Sequence, residues 1–332
     1  MNKFDPIDDI KVKTKQVVKK VQYDRQVRTY ANLDDLPRGI ASNQITEGCM
    51  VLEGGAFRGC YTSGVLDALM EADINLRTTI GVSAGAMNGV GYVCGQIGRS
   101  AYINLKYRND DRYVGLQAMR TNHGIIGFDF AMLELNKEYP VDMTRFNAPN
   151  RDFIAVVTNC KTGKPEYMKK GVCKDIIGAV AASASMPYVS QMMEIEGQPY
   201  LDGGCSCAIP YQWALDHHFE NIVVVRTRDI EFRYPEEPNH NAMIRARYLN
   251  YPNLVKVLEE GDMRYNKQCN ELEQLRNEGR IFMISPSQPI DIGRLEKDTS
   301  RLAEIYYLGY ADGKRCVPSL KAYLHRGDRN DL

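Results

Sequence analysis

Gly81-Val82-Ser83-Ala84-Gly85 sets a lone serine between two glycines, where the apolar run 78–82 gives way to the face Ala84, Ala86, Met87, Val90 and Val93. The run reads as a short β-strand and the face as a helix of small residues. At the tip of such a turn the backbone is forced into a sparsely populated conformation, and strand and helix pass so close that only small residues fit two positions either side. Gly81 and Gly85 hold those two positions. The Ser83 hydroxyl is then left above the sheet, at a helix N-terminus whose amides favour developing negative charge. G-x-S-x-G also arises by chance, but the strand-turn-helix context reads as a nucleophile elbow.

A second glycine cluster, Gly54-Gly55-Ala56-Phe57-Arg58-Gly59, follows the apolar run 49–52 and opens a helical pattern with Tyr61, Val65, Leu69 and Ala72 on one face. Outward-pointing amides in such a loop suit a reaction that passes through an oxyanion. Dinucleotide binding is the competing reading, with Ala56 in the place of the middle glycine of G-x-G-x-x-G. It is disfavoured because the next strand ends at Ser83 and not at the acidic residue that would hold a ribose. No Gly-Lys-Ser or Gly-Lys-Thr follows, so a phosphate loop of that type is excluded. The third element is Asp202 in Tyr200-Leu201-Asp202-Gly203-Gly204, after the turn-like 196–199 and before the helix-like 210–217. Alone, an aspartate before two glycines is an ordinary turn.

In this order and context the three motifs resemble those of the patatin-like phospholipase family. The resemblance covers about residues 48–230 and thins outside them. It implies a three-layer α/β/α sandwich with a mainly parallel central sheet, followed here by a helical C-terminal segment. It also implies Ser83 as nucleophile, Asp202 as its general base, Gly54, Gly55 and Ala56 as the oxyanion loop with Arg58 beside it, and no metal or cofactor. Gly203 and Gly204 complete the motif after the base, and the run 181–187 resembles the small-residue segment that such proteins carry before the aspartate. The departure is Ala56 where the family usually has a third glycine: alanine keeps the amide but resists positive φ.

The chemistry of the residues agrees with this assignment. A serine hydroxyl needs a base within hydrogen-bond reach, and Asp202 is the carboxylate with a motif around it. None of the five histidines, His123, His217, His218, His240 and His325, sits in a glycine-framed loop. A Ser-Asp-His order as in α/β-hydrolases stays the enzymatic rival. A non-catalytic lipid-binding protein with a weakened site is the rival of a different class.

The 332 residues, 44% hydrophobic, suffice for a substantial core, and a formal net charge of zero gives no footprint for nucleic acid. Nine scattered cysteines read as reduced core residues, and Cys205-x-Cys207 lacks the further ligands of a zinc site. No apolar run reaches membrane-spanning length and no signal core opens the chain, so a cytoplasmic protein is expected. Residues 1–47 read as a charged extension, 48–285 as the catalytic domain and 286–332 as a helical segment, separate or part of that domain. Lys11, Lys13, Lys15, Lys19, Lys20, Arg25 and Arg28 face only Asp24 within residues 10–30. Such a run is a solvated face or a peripheral contact for an anionic membrane.

Strands are expected at 152–159, 165–169, 221–227 and 280–284, with a hairpin turn at 161–164 and a short buried helix at 175–182. Helices are expected through 241–279, and one or two more over 300–325, broken near Pro318. The expected activity is cleavage of carboxylic esters of lipids through an acyl-enzyme. Phospholipids, lysophospholipids, neutral glycerides and short artificial esters are not separated by these residues.

Overall fold

The computed structural model describes residues 29–122, 124–131, 135–235 and 242–326. The basic run between residues 10 and 28, His123 and His240 lie outside them. In chain order the main elements are β1 Thr46–Leu52, α1 Gly59–Glu71, β2 Leu76–Val82, α2 Ala84–Cys94, β3 Asp152–Asn159, β4 Pro165–Lys169, α3 Ile176–Ser183, β5 Met193–Ile195 and β6 Gln198–Asp202. They continue with α4 Tyr211–Asp216, β7 Ile222–Val225, α5 Pro252–Glu259, α6 Gly261–Asn277, β8 Phe282–Ile284 and α7 Thr299–Leu324. Shorter helices, among them Leu116–Thr121 and Ala242–Arg247, fill the connections.

The strands β8, β7, β1, β2 and β3 run parallel in that spatial order, and β3, β4, β6 and β5 add antiparallel pairings. The central strands β1, β3 and β7 are buried almost throughout because both faces of the sheet are covered there. Alternation along β1 divides the core. Met50 and Leu52 pack with Val223 and Val225 under α1 and α7, while Cys49 and Val51 join Ile80, Val82, Ile154 and Val156 against α4 and α6. On the first side, Phe153, Ala155 and Val157 meet α2 and α3. Helices on both faces of a largely parallel sheet make a three-layer α/β/α sandwich.

The register places the site. Residues 154–156 of β3 pair with β2 and with β4, and Val157 and Thr158 pair with both β4 and β6. A strand has only two edges, so β6 lies on the edge that β2 occupies, beyond the end of β2 and running the opposite way. Val82 is level with Val156 and Asp202 with Val157. The last residues of β2 and β6 therefore meet head to head.

Among the described residues beyond β8, Thr299–Leu324 is a single unbroken helix where one or two, broken near Pro318, were expected. Pro318 lies inside α7, whose N-terminus is capped by the Asp298 carboxylate on the amides of Ser300 and Arg301. Proline removes the hydrogen bond to the carbonyl four residues earlier. Pro318 and Lys314 are both exposed, so water can take that carbonyl, while buried Leu320 and Leu324 hold the last turns on the core. The helix crosses α1 at close range. A Cβ on Gly64 would collide with the Tyr306 carbonyl oxygen and one on Gly309 with that of Tyr61. Tyr306 donates to Asp67 at 2.9 Å and Tyr61 to Asp312 at 3.1 Å, fastening the crossing with buried hydrogen bonds. Because backbone cannot yield there, Gly309→Ala is expected to cost about 1–3 kcal/mol. Thermal unfolding beside a surface substitution such as Ala311→Gly checks this, and an unchanged Tm would refute the close crossing.

Candidate active site

Ser83 has φ 54° and ψ −123°, a conformation that costs a non-glycine residue about 1–3 kcal/mol. Its neighbours impose it. A Cβ at Gly81 would lie 2.6 Å from the backbone nitrogen of Ala86, and one at Gly85 would lie 2.5 Å from the Leu52 carbonyl oxygen. The Ser83 amide donates to Ser183 Oγ at 2.8 Å, and that hydroxyl donates to the Val156 carbonyl at 2.6 Å. The elbow is thus pinned to α3 and β3.

Across the head-to-head junction, Ser83 Oγ donates to Asp202 Oδ2 at 2.7 Å. The other carboxylate oxygen, Oδ1, accepts the Gly204 amide at 2.8 Å, which fixes the plane of the group. Gly203 is needed here because a Cβ would strike the Val156 carbonyl. Burial pushes the Asp202 carboxyl up from 3.8 to about 6, against the opposing pull of the Ser83 and Gly204 hydrogen bonds and of the Arg294 charge. A carboxylate poised there is ionised at neutral pH yet a stronger base than an exposed one.

The glycine loop runs beside the serine: a Cβ at Gly54 would stand 3.3 Å from Ser83 Cβ. Its amides are not equivalent. That of Gly54 donates to the Ala208 carbonyl at 3.3 Å and that of Phe57 to the Arg294 carbonyl at 3.5 Å. Among the described residues, the amides of Gly55 and Ala56 have no acceptor. Ala56 holds φ 49°, the left-handed region in which glycine costs least. This alanine adopts the conformation regardless.

Ser83 lies between two cavities. The larger, about 250 Å³, is bordered by Gly54, Gly55, Asp202, Glu53, Tyr234 and Tyr265 and by three arginines, Arg58, Arg228 and Arg294. Arg58 is buried with its Nε unpartnered; burial, then the nearby Arg228, lowers its pKa while Glu53 opposes the shift. Arg228 also has a buried Nε without a partner and lies over the Phe232 ring. The smaller cavity, about 50 Å³, is largely apolar, walled by Phe57, Met87, Val114, Ile126, Met186 and Leu295.

The histidines of the described residues stand apart. His217 stacks on Trp213 with ring centroids 3.9 Å apart and bonds through Nδ1 to the Trp213 carbonyl, and neither His218 nor His325 lines either cavity. Sequence reasoning missed Arg228 and Arg294, which lie in loops with no motif around them. It quoted Ser183 only as part of a small-residue run, and its hydrogen bond to the Ser83 amide carries no sequence signal. It also missed Glu53, which is 2% exposed and accepts the Thr227 amide and the Tyr265 hydroxyl, with Arg226 3.9 Å away.

Fold and site together define a three-layer α/β protein with a serine at a strand-to-helix elbow touching a buried carboxylate. Residues 50–215 match the patatin-like phospholipase family, and residues 251–325 match a domain of unknown function, DUF6363. The chain belongs to the patatin-like phospholipase family and is a lipid ester hydrolase. It is 26% identical over 270 residues to the uncharacterized protein YjjU of Escherichia coli (strain K12), covering 80% of this chain and 75% of that one. It is also 26% identical over 304 residues to lysophospholipase nte1 of Aspergillus terreus; the match takes in 82% of this chain but only 18% of the fungal protein. Among solved structures, VipD from Legionella pneumophila superposes with a TM-score of 0.44 at 12% identity, over 86% of this chain and 70% of that one. Among the described residues no helix is long and apolar enough to cross a membrane.

Proposed function

We propose that the protein is a serine acyl hydrolase working through a Ser83–Asp202 dyad on a lipid ester with an anionic head group. The observation that carries the reading is the 2.7 Å hydrogen bond from Ser83 Oγ to buried Asp202, at the junction of a cationic cleft and an apolar pocket. Asp202 takes the hydroxyl proton as Oγ attacks the ester carbonyl, and the Gly55 and Ala56 amides hold the oxyanion. The tetrahedral species collapses to the acyl-enzyme as Asp202 returns the proton to the leaving alkoxide. Water, deprotonated by Asp202, then releases the fatty acid and restores the serine. The acyl chain enters the pocket of Met87, Val114 and Ile126, and the head group faces Arg58, Arg228 and Arg294. A phosphate suits three guanidiniums of which two have an unsatisfied Nε. The matched lysophospholipase, a relative by sequence, points the same way. The reading takes residues 48–285 together with α7 as one catalytic unit, supported by the α1–α7 crossing, and a cytoplasmic or peripheral location.

A fluorophosphonate is expected to label Ser83, because its adduct resembles the tetrahedral species. Peptide mapping reads this, and a folded sample that stays unlabelled would favour a non-catalytic binding protein. Replacing each of the five histidines by glutamine is expected to leave p-nitrophenyl ester hydrolysis within a few-fold of the parent. A collapse at one position to the Ser83→Ala level would replace the dyad by a triad. His123 and His240 are the decisive pair, since the other three stand away from the cavities.

The head-group assignment has its own test. Arg228→Gln with Arg294→Gln is expected to raise KM for a phospholipid by about tenfold, roughly one charge-assisted contact, with little change for p-nitrophenyl butyrate. Equal effects on both substrates would remove the arginines from head-group binding.

A further inference from the structure

Three segments meet around the two mouths beside Ser83. Val114 and Ile126, which wall the apolar pocket, are paired as an isolated bridge. Gly124 bridges to Ser190, and the Ile125 amide donates to the Val189 carbonyl at 2.9 Å. The Tyr188 amide in turn donates to the Tyr248 hydroxyl at 3.0 Å, and the two rings pack 6.0 Å apart. Met186, two residues before Tyr188, borders both cavities. The stretches 114–122, 124–126, 186–190 and 244–249 thus form one rim.

This rim carries apolar side chains that have nothing to bury against. Leu116 is 67% exposed and Leu249 is 78% exposed, and Met119 stands one turn along from Leu116 on the Leu116–Thr121 helix. Isolated exposed leucines need no explanation, but several on the rim of one opening mark an interaction surface. Beside them stand exposed Arg120 and Arg247, with which no carboxylate pairs among the described residues. Bulky apolar groups interleaved with cations, around an opening that leads to a nucleophile, suit an interface of acyl chains beneath anionic head groups.

We propose that Leu116, Met119 and Leu249, with Arg120 and Arg247 among them, form the face by which the protein lies on an anionic lipid bilayer, mouth down. The inference rests on the lipid-hydrolase reading for its purpose but not for its test. Docked this way, the ester reaches Ser83 directly from the membrane.

The test uses the full chain carrying Ser83→Ala, so that binding is read without turnover, and vesicles of phosphatidylcholine with and without phosphatidylglycerol. Leu116→Ser, Met119→Ser and Leu249→Ser together are expected to lower co-sedimentation with the mixed vesicles by about tenfold or more. All three side chains are exposed, so circular dichroism should show an unchanged fold. On the Ser83 background, the same triple variant should lose vesicle-lipid hydrolysis in proportion and keep p-nitrophenyl butyrate hydrolysis within about twofold. Arg120→Gln with Arg247→Gln should weaken binding to the mixed vesicles and leave binding to pure phosphatidylcholine unchanged. The proposal is overturned if the folded triple variant sediments like its parent, which would move attachment elsewhere on the chain, or if the parent binds no vesicles. If the parent hydrolyses no ester but the triple variant still loses vesicle binding, the docking face stands and the catalytic reading fails.

Discussion

Asp202→Asn is expected to lower ester turnover by about 10²–10⁴-fold while making the folded protein more stable at neutral pH. Asparagine keeps the shape and can accept the Gly204 amide, but it cannot take the proton of Ser83 Oγ. The gain in stability follows from the direction of the Asp202 shift. In the native protein the carboxyl titrates near 6, above its ordinary 3.8, because it is buried. The folded state therefore holds the proton more tightly than the unfolded one. The stability this confers is complete below about pH 4 and is lost as pH rises through about 6, so at pH 7–8 the ionised aspartate costs about 1–3 kcal/mol. Removing the charge recovers part of that. Activity has the opposite dependence: the parent enzyme should lose kcat/KM as pH falls through about 6, as the base protonates. Chemical denaturation at pH 7.5 and a pH–rate profile measure both. Activity of the variant within about tenfold of the parent would take Asp202 out of the mechanism, and a destabilised variant would contradict the burial argument.

Gly55→Ala should reduce kcat by about 10²-fold or more with little change in KM. The added Cβ would come 2.5 Å from Thr227 Oγ1 and 2.9 Å from Thr227 Cβ. Thr227 cannot retreat: it is fully buried, its amide donates to Glu53 at 2.5 Å and its hydroxyl to the Gly54 carbonyl at 3.0 Å. The loop must move instead, and with it the Gly55 and Ala56 amides proposed to hold the oxyanion. A displaced loop leaves Ser83 and Asp202 in contact, so fluorophosphonate labelling should slow while the fold persists. Turnover equal to the parent would show that the oxyanion donors lie elsewhere.

Much of this arrangement was legible in the chain, for physical reasons that differ by element. Asp152–Asn159 and Pro165–Lys169 match the strands expected there because a hairpin with a Lys-Thr-Gly-Lys turn is a local object. The glycine-framed turns around Ser83 and Asp202 were readable because close packing and a tight turn demand glycines, and glycines leave a pattern. The strands expected at 221–227 and 280–284 shrink to Ile222–Val225 and Phe282–Ile284, since pairing partners set strand ends. The meeting of β2 and β6 on one edge of β3 was not legible, because registers join segments far apart in sequence. Arg228 and Arg294 were hidden for a related reason: a guanidinium facing a cleft looks in sequence like any surface arginine. The helix over 299–324 was expected to break at Pro318, and exposure of that turn is what spares it.

The place of β7 and β8 sets how the chain can be divided. Both lie beyond residue 215, where the match to the phospholipase family stops, yet β7 pairs along the whole apolar stretch from Cys49 to Leu52. A fragment trimmed to that match would cut β1 to Met50–Leu52 and leave this apolar remnant and its neighbour β2 as an open edge of the sheet, and the groove on α1 around Gly64 would lose its covering helix. Open edges of that kind recruit other copies. Such a fragment should accumulate as aggregates on expression, so the smallest portion worth isolating extends through Leu324, and the DUF6363 region travels with the hydrolase as part of its sheet and core.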